Sequence, residues 1–532
     1  MSPGPHQNQA SAEGLAGHVT AEQGEVAAFL AHPAAHGDLC ARVERIDTHG
    51  AMVFLAGERA YKIKRAVRYP YMDFSTLALR QRACTREVEL NRRTAPELYI
   101  GTVPITRAAD GALTLGGSGE TIEWAVVMRR FPQEALGDRL AQAGRFSPKL
   151  ARVLADEVAA FHERAEPLPE GAGGGAAGLR AVIDENLAEL RQRPDLFPAA
   201  EVAALAAATN EHLDRVAGLL DERKAAGLVR HCHGDLHLRN ICVVNERPRI
   251  FDCIEFNDAI ACIDVLYDLA FLLMDLEHRD LRPHANLILN RYMQQRDDIA
   301  GLKALPLFLS TRAAVRAKVS VSVADSQADP AAARTLCHEA AGYFRAAQAF
   351  LQPVMPCLVA IGGLSGTGKT CLARELAPGL GASPGALHLR SDVLRKTSRG
   401  IDELEPLPPS AYGAAQSAEV YARLAAHAKT GLAAGCAVIA DAVYASPAER
   451  SAIEAVAREL DVRFIGIWLE APAEQIVGRV AGRRGDASDA TPDVVRKQLT
   501  YDIGPLTWQR LDASGARATI VAEARHRIQS EG

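Results

Sequence analysis

The sequence predicts two domains of different class in one chain: an α+β domain that runs sheet, helix, sheet and then turns helical, followed by an α/β domain with a parallel sheet. Three observations carry that prediction. The chain has 532 residues, too many for a single core and enough for two to four domains of ordinary size. The stretch HCHGDLHLRN at 231–240 has His-x-Asp-x-x-x-x-Asn spacing, and GGLSGTGKT at 362–370 fits G-x-x-x-x-G-K-[ST]. These are unrelated ways of positioning a nucleotide's phosphates.

Each element follows in order. Residues 1–24, MSPGPHQNQASAEGLAGHVTAEQG, have neither a basic n-region nor an apolar h-region and are expected to be a loose tail. A short helix then leads into RVERIDTHGAMVFLAGERAYKIKRAV, whose alternating apolar residues flank a Gly-Glu turn, so an antiparallel hairpin is expected. FSTLALRQRACTREVELNRRTAPELYI reads as a helix ended by Pro96, and YIGTVPITRAADGALTLGGSGETIEWAVVMRRF as further strands. This small lobe spans about 25–131. From 132 to about 354 the pattern is helical, interrupted by the loop PLPEGAGGGAAG and by two short strands around the turn NERP. A new βα series begins at CLVAIGG, with strands expected at ALHLRSD, CAVIADA and RFIGIWLE. The boundary is therefore expected near residue 354, with the second domain at 355–532.

Composition narrows the function. Hydrophobic residues make up 48% and charged residues 23%, the values of a globular chain, and no run of about 18 apolar residues occurs. The net charge of −5 provides no global attraction to nucleic acid. Ten cysteines lie scattered without a C-x-x-C pair, which favours reduced thiols in a cytoplasmic enzyme over a disulfide framework or a zinc site.

The 231–240 loop supplies the first set of candidates. Phosphoryl transfer needs a base, magnesium ligands and a phosphate-facing cation. Asp235 is the candidate base, and Asn240 and, after the NERP turn, Asp252 in RIFDCIEF are the candidate magnesium ligands. His233 is expected to organise the loop, because the carboxylate at 235 already fills the base role. Lys62 and Lys64 in AYKIK share a strand face and compete for the cation's place. Lys62 is preferred because a small residue stands two before it, as in V-A-I-K. Glu87 is the expected ion-pair partner with Glu89 as fallback, and THGAM stands where a phosphate-covering turn belongs.

HGDLHLRN, IFDCIEF and YDLAFLL resemble the aminoglycoside phosphotransferase family, a branch of the protein-kinase-like fold, over roughly residues 25–350. The resemblance implies Asp235 as catalytic base, Asn240 and Asp252 as magnesium ligands, MRRF (128–131) as the hinge over the adenine, and small-molecule hydroxyls as acceptors.

The second set starts from Gly363, Leu364, Ser365, Gly366, Thr367, Gly368, Lys369 and Thr370. Glycines let backbone N–H groups curl around phosphates, Lys369 bridges the outer phosphates and Thr370 binds magnesium. Asp392 ends a strand with Arg395 three residues on, the places of a base and an acceptor-side or phosphate-binding arginine, against the lesser alternative that Asp392 is a helix N-cap. Asp441 at the tip of VIADA is a further magnesium-shell candidate. Arg479, Arg483 and Arg484 fall on an expected lid that closes on the phosphoryl group, or else on a solvated face. Residues 355–525 resemble small P-loop kinases of the gluconate kinase, chloramphenicol phosphotransferase and zeta-toxin type. The order of the two parts, with YKIKRAV, MDFSTL, NRRTAPELY and GDASDAT, is similar to that of a bacterial family usually described as bifunctional phosphotransferase and ATP-binding proteins.

The expectation is a bifunctional ATP- and Mg2+-dependent phosphotransferase acting on small-molecule hydroxyls, such as those of a sugar or amino sugar, with one centre per domain. No nucleic acid or membrane partner is expected. Two rivals stand beside it: a regulatory protein in which one domain senses nucleotide, and a polynucleotide 5′-kinase. The last would need a basic groove with stacking aromatics, and aromatic residues make up only 5%.

Overall fold

The computed structural model describes residues 19–37, 42–69, 71–168, 173–482 and 484–530. Most of the expected tail, four residues of the expected loop after Pro167, Cys40 and Arg483 therefore lie outside the described residues. The chain divides into two compact units, Met1–Arg279 with Leu307–Ala349, and Asp280–Pro306 with Phe350–Gly532.

The first unit opens with helix α1 (Gly24–Ala31) and an antiparallel sheet of β1 (Val43–Asp47), β2 (Ala51–Ala56), β3 (Arg59–Lys64), β4 (Tyr99–Arg107), β5 (Leu113–Leu115) and β6 (Glu120–Arg129), in the order β1-β2-β3-β6-β4-β5. The Gly-Glu turn joins β2 to β3, with Gly57 at φ 58°. Helix α2 (Leu77–Asn91) begins where the Thr76 hydroxyl accepts from Leu79 N at 3.2 Å. It ends at Asn91, before Pro96, and lays Cys84 and Val88 against Leu55, Val126 and Met128 of the sheet. Strands β7 (Ile241–Val244) and β8 (Arg247–Ile250) pair around Asn245 and Glu246, whose φ values of 50° and 62° suit a tight hairpin turn. Helix α3 (Val265–His278) is buried along nearly its whole length, including Asp268 and Asp275.

Between α3 and helix α5 (Leu305–Asp325) lies α4 (Arg282–Arg296), which packs with the second unit rather than the first. The boundary is expected near 354, and the second compact unit takes Phe350–Gly532 together with Asp280–Pro306. The second unit holds a parallel sheet of β9 (Cys357–Gly362), β10 (Leu387–Arg390), β11 (Val438–Asp441), β12 (Arg463–Glu470) and β13 (Gln509–Asp512), in the order β10-β11-β9-β12-β13. The first four match expected strands; β13 is an addition. Strand β10 is an edge, whose outward N–H and C=O groups need partners. Asn290 of α4 supplies them, accepting from His388 N at 2.6 Å and donating to Ala386 O at 3.1 Å, and Asn286 donates to Ala386 O at 3.0 Å. Two asparagines thus stand in for a neighbouring strand, and so α4 packs with this unit. Around the sheet lie α6 (Lys369–Leu376), α7 (Ser391–Thr397), α8 (Ala414–Ala433), α9 (Ala473–Ala481) and α10 (Pro492–Gln498). No helix among the described residues is long and apolar enough to cross a membrane, and the nine described cysteines are free.

Candidate active sites

In the first unit β3 brings Lys62 and Lys64 to one side of the sheet, where Glu87 of α2 divides its carboxylate between them. Lys62 Nζ lies 2.9 Å from Glu87 Oε1 and Lys64 Nζ 2.5 Å from Oε2. Lys62 also reaches Asp252 Oδ1 at 2.5 Å, and Lys64 reaches Glu255 Oε1 at 2.5 Å. Lys62 is thus the lysine that faces the candidate metal ligand, while Glu89 faces solvent. Burial opposes the charge on Lys62, yet Asp252 and Glu87 hold its pKa well above the usual lysine range. Asp252 is held at φ 64°, a conformation aspartate tolerates better than most residues, by its amide donating to Tyr99 Oη at 3.1 Å and the next amide to Asn91 Oδ1 at 2.8 Å. Burial raises its pKa, but Lys62 and Lys64 outweigh that and keep it ionised below the usual range.

The 231–240 loop meets this cluster. Asn240 Nδ2 donates to Asp235 Oδ2 at 2.9 Å, and His237 Nε2 lies 3.2 Å from the same oxygen. Burial works against ionisation of Asp235, but His237 and Arg316 depress its pKa well below the ordinary carboxylate value. His233 is fully buried; its Nε2 lies 2.8 Å from Phe251 O, and its Nδ1 accepts from Asp235 N at 3.2 Å. It ties the loop to the strand that delivers Asp252. A cavity of about 680 Å³ beside these residues is lined by Lys62, Asn240 and Asp252, by Thr48 of the THGAM turn, and by all four residues of MRRF.

Two residues without an assigned role hold the loop from below. Asp268 accepts from Gly234 N at 2.9 Å and His233 N at 3.1 Å, and meets His162 Nε2 at 3.1 Å. Asp275, two turns on, accepts from Leu238 N at 3.0 Å. Arg312 of α5 donates to Gly234 O at 3.2 Å. The signal was available in VLYDLAFLLMDLEH, since carboxylates inside an otherwise apolar helix are buried only when bonded. Glu255 carried no such signal.

In the second unit Gly363, Gly366 and Gly368 have φ of 136°, 90° and 98°, and a Cβ on Gly366 would lie 2.6 Å from Ile476 O. Only glycine fits that close pass. Lys369 Nζ donates to Gly363 O at 2.8 Å and Leu364 O at 3.0 Å, which folds the amine over the loop. Thr370 Oγ1 donates to Asp441 Oδ2 at 2.6 Å. Thr367 bonds Leu364 O within the loop, and Ser365 N donates to Gln498 of α10. Asp441 meets His388 Nε2 at 3.3 Å and Arg390 Nε at 3.8 Å. Burial raises its pKa, but His388 and Arg390 bring it down to about 2.

Asp392 sits in the first turn of α7, half-buried; burial raises its pKa against the pull of Arg390 and Lys369. The side chain of its neighbour Arg390 caps nothing in that helix and points instead to Asp441 and Asp486. Arg395 is buried, donating to Ala411 O at 2.8 Å with its guanidinium 4.8 Å from the Tyr412 ring centre. Arg479 is exposed and donates to Ala513 O, Arg484 is exposed, and Arg483 lies outside the described residues. GDASDAT is instead pinned by its carboxylates: Asp486 to Arg390 at 2.8 Å, and Asp489 to Lys396 at 2.8 Å and Tyr412 Oη at 2.6 Å.

A nucleotide cleft beside a buried Lys–Glu pair, and a P-loop heading a parallel sheet, define the class: the protein is a kinase. The family models agree, that of the phosphotransferase enzyme family matching residues 59–305 and that of an AAA domain residues 358–501. The chain belongs to the two-part family that includes the uncharacterized protein Rv2004c of Mycobacterium tuberculosis. The two are 31% identical over 492 residues, 90% of this chain and 94% of the relative, and the uncharacterized protein Mb2027c of Mycobacterium bovis matches equally. Among solved structures, a choline/ethanolamine kinase family protein from Mesorhizobium loti is similar over 62% of this chain and 94% of its own, at 17% identity and TM-score 0.38. A sugar kinase from Janibacter sp. is similar over 33% of this chain and 95% of its own, at 21% identity and TM-score 0.25.

Proposed function

We propose that the protein is a bifunctional ATP-dependent phosphotransferase for small-molecule hydroxyls, with a separate centre in each unit. One observation carries the reading: each unit assembles its own lysine, its own pair of oxygen donors and its own candidate base. In the first these are Lys62, Asn240 with Asp252, and Asp235; in the second, Lys369, Thr370 with Asp441, and Asp392. All the donors are hard oxygens, the set magnesium takes, and when bound the ion offsets charge on the phosphates. Lys62, fixed by Glu87, faces the phosphates of ATP in the cavity above Asp252, and MRRF receives the adenine.

The step is the same in both centres. An acceptor hydroxyl oxygen forms a bond to the γ-phosphorus, the bond from that phosphorus to the β,γ-bridging oxygen breaks, and ADP leaves. The hydroxyl proton passes to the carboxylate, Asp235 or Asp392. Asp235 is a weak base at its depressed pKa, so its main work is to orient the hydroxyl, which suits a reaction governed by positioning. In the second centre Arg395 stands beside the acceptor.

The test uses the full chain. ADP release is followed with sugars, amino sugars, aminoglycosides and nucleosides in the wild type, Asp235→Asn and Lys369→Met. Each variant is expected to abolish one acceptor-dependent activity and spare the other. Loss of all turnover in a single variant would leave one catalytic centre and a nucleotide sensor, and defeat the bifunctional reading.

A further inference from the structure

Two groups of histidine, cysteine and aspartate come together among the described residues, and they differ in how far their bonds are spent. In the first, Asp268 accepts from two loop amides and meets His162, and Cys232 Sγ donates to Ile263 O at 3.5 Å. The second is His231, Asp258 and Cys262, in which a ring nitrogen, a carboxylate oxygen and the thiol sulfur all lie within 4.8 Å of one another.

Its geometry is built by the backbone. His231 ends the short strand Val229–His231, and Cys262 opens the antiparallel partner Cys262–Asp264, where the two residues stand directly opposite each other. Opposite residues of such a pair project to the same side, with Cβ atoms about 5 Å apart. Asp258 joins them from the helical turn Asp258–Ala261, which is capped by Asn257, whose side chain accepts from Ala259 N at 3.0 Å. The Asp258 carboxylate is thus not needed as a cap. No C-x-x-C spacing announces this group, because its donors meet across a strand pair.

Nε2 of His231 is the unspent atom. It is shielded from solvent and has no hydrogen-bond partner, and Asp258 Oδ1, 4.0 Å away, is too far for a hydrogen bond. As an N–H it lacks an acceptor, and as a lone pair it faces a carboxylate and a thiol. Either state is unfavourable for a buried polar atom, and a cation between the three donors removes the conflict. Burial and Arg93 lower the His231 pKa, so the ring is neutral near pH 7 and keeps a lone pair. The nearby arginines are engaged: Arg93 donates to His231 O at 2.8 Å and to Leu90 O at 2.9 Å, and Arg86 pairs with Asp258 Oδ1. A donor on a ligating carboxylate is the ordinary outer arrangement of a metal site.

We propose that His231 Nε2, Cys262 Sγ and Asp258 Oδ1 form a binding site for a divalent metal of borderline softness, Zn2+ above all, which clasps the start of the 231–240 loop to the segment packed beneath it. One nitrogen, one sulfur and one oxygen donor, with water as the fourth ligand, are a set that zinc takes and magnesium does not. Zinc's ligands stand about 3.3–3.8 Å apart, so turning the exposed Asp258 side chain inward by about an ångström closes the site. The thiol gives its proton to solvent as the Zn–S bond forms. The segment lies against the loop itself, since a Cβ on Gly234 would be 3.2 Å from Ile260 O and 3.3 Å from Ala261 Cα.

The experiment uses the full chain, stripped with a chelator and kept reduced, with Mg2+ in excess. Zinc retained after dialysis is measured by mass spectrometry, and cobalt is added as a spectroscopic substitute. One equivalent of zinc is expected to stay, and cobalt should show a thiolate-to-metal charge-transfer band. Both should be lost in His231→Gln and Cys262→Ser and survive in Cys371→Ser, whose thiol is exposed on α6. Asp258→Asn should weaken zinc binding by on the order of 10-fold or more. Without metal, Cys262→Ser should share the wild type's urea midpoint, and zinc should raise that of the first unit in the wild type alone, which separates a lost ligand from misfolding. Zinc that dialyses out of the wild type, a cobalt spectrum without the thiolate band, or equal zinc retention in Cys262→Ser overturns the inference.

Discussion

Replacing Asp268 by asparagine tests how the first centre is held together, without touching any group placed at the chemistry. The fully buried carboxylate accepts from two consecutive loop amides, at 2.9 and 3.1 Å, and meets His162 at 3.1 Å. Asparagine keeps one acceptor oxygen but turns an N–H2 toward groups that are themselves donors. At least one charge-assisted bond and the histidine contact are lost, each worth about 1.5–3 kcal/mol, so the cost is about 3–5 kcal/mol. That is a large part of the roughly 5–15 kcal/mol that holds a domain folded. In urea, with a slope of about 3 kcal/mol/M, the midpoint of the first unit should fall by about 1 M or more. Asp235-dependent kcat should drop by more than about tenfold, because a displaced loop misplaces the carboxylate. Burial raises the Asp268 pKa but His162 and its other cationic neighbours bring it down on balance. A lowered folded pKa gives stability that is complete above the unfolded carboxylate value near 3.9 and lost as pH falls through the folded one. The wild-type advantage over Asp268→Asn should therefore be constant from pH 7 to about 5 and shrink below about 4. An unchanged urea midpoint together with unchanged kcat would refute the account.

Three further predictions separate roles that distance alone ties together. Lys62→Met should cut the first centre's kcat by on the order of 100-fold or more, since it removes the cation facing the phosphates; Lys64→Met should mainly destabilise, by about 3–5 kcal/mol, because it leaves Glu255 buried without its partner. Equal urea midpoints for the two variants would contradict this division. Asn290→Leu leaves His388 N of β10 without its acceptor and Ala386 O with Asn286 alone, so the second unit's midpoint should fall by an amount worth about 1–3 kcal/mol while that of the first stays put; a common shift of both transitions would argue against it. Asp441, with a pKa of about 2, contributes stability present in full above about 3.9 and lost between there and its folded pKa. Asp441→Asn should accordingly flatten the acid slope of the second unit's stability below about pH 4, as followed by fluorescence of the buried Trp468 and Trp508; an unaltered slope would count against the pairing with His388.

How much of this was legible in the sequence depends on how far apart the partners lie. Residues within one loop could be read directly, because their chemistry fixes their spacing: Asp235 with Asn240, and Gly363 through Thr370. The turns at Gly57 and Asn245 were equally legible, being decided by local backbone preference. The preference for Lys62 over Lys64 rested on one small residue before it, since alternation puts both on one face; Asp252 and Glu255, some 190 residues on, assign each a partner. The edge of β10 was invisible for the same reason. Nothing local in ALHLRSD says that its outer side will be met by asparagines about 100 residues earlier, and α4 reads like any helix of the first domain.

The residues that organise the two centres share a sign. Arginines in GRVAGRRGDASDAT drew attention because cations stabilise a transferring phosphoryl group, yet the residues that fix this segment are the carboxylates Asp486 and Asp489. Likewise Asp268 and Asp275, not the histidines beside them, secure the first centre's loop. In both units the cations and amides to be arranged around a trianionic phosphate chain would repel or drift if left alone. A buried carboxylate, which accepts from several N–H groups at once, fixes them at a defined distance before the nucleotide arrives.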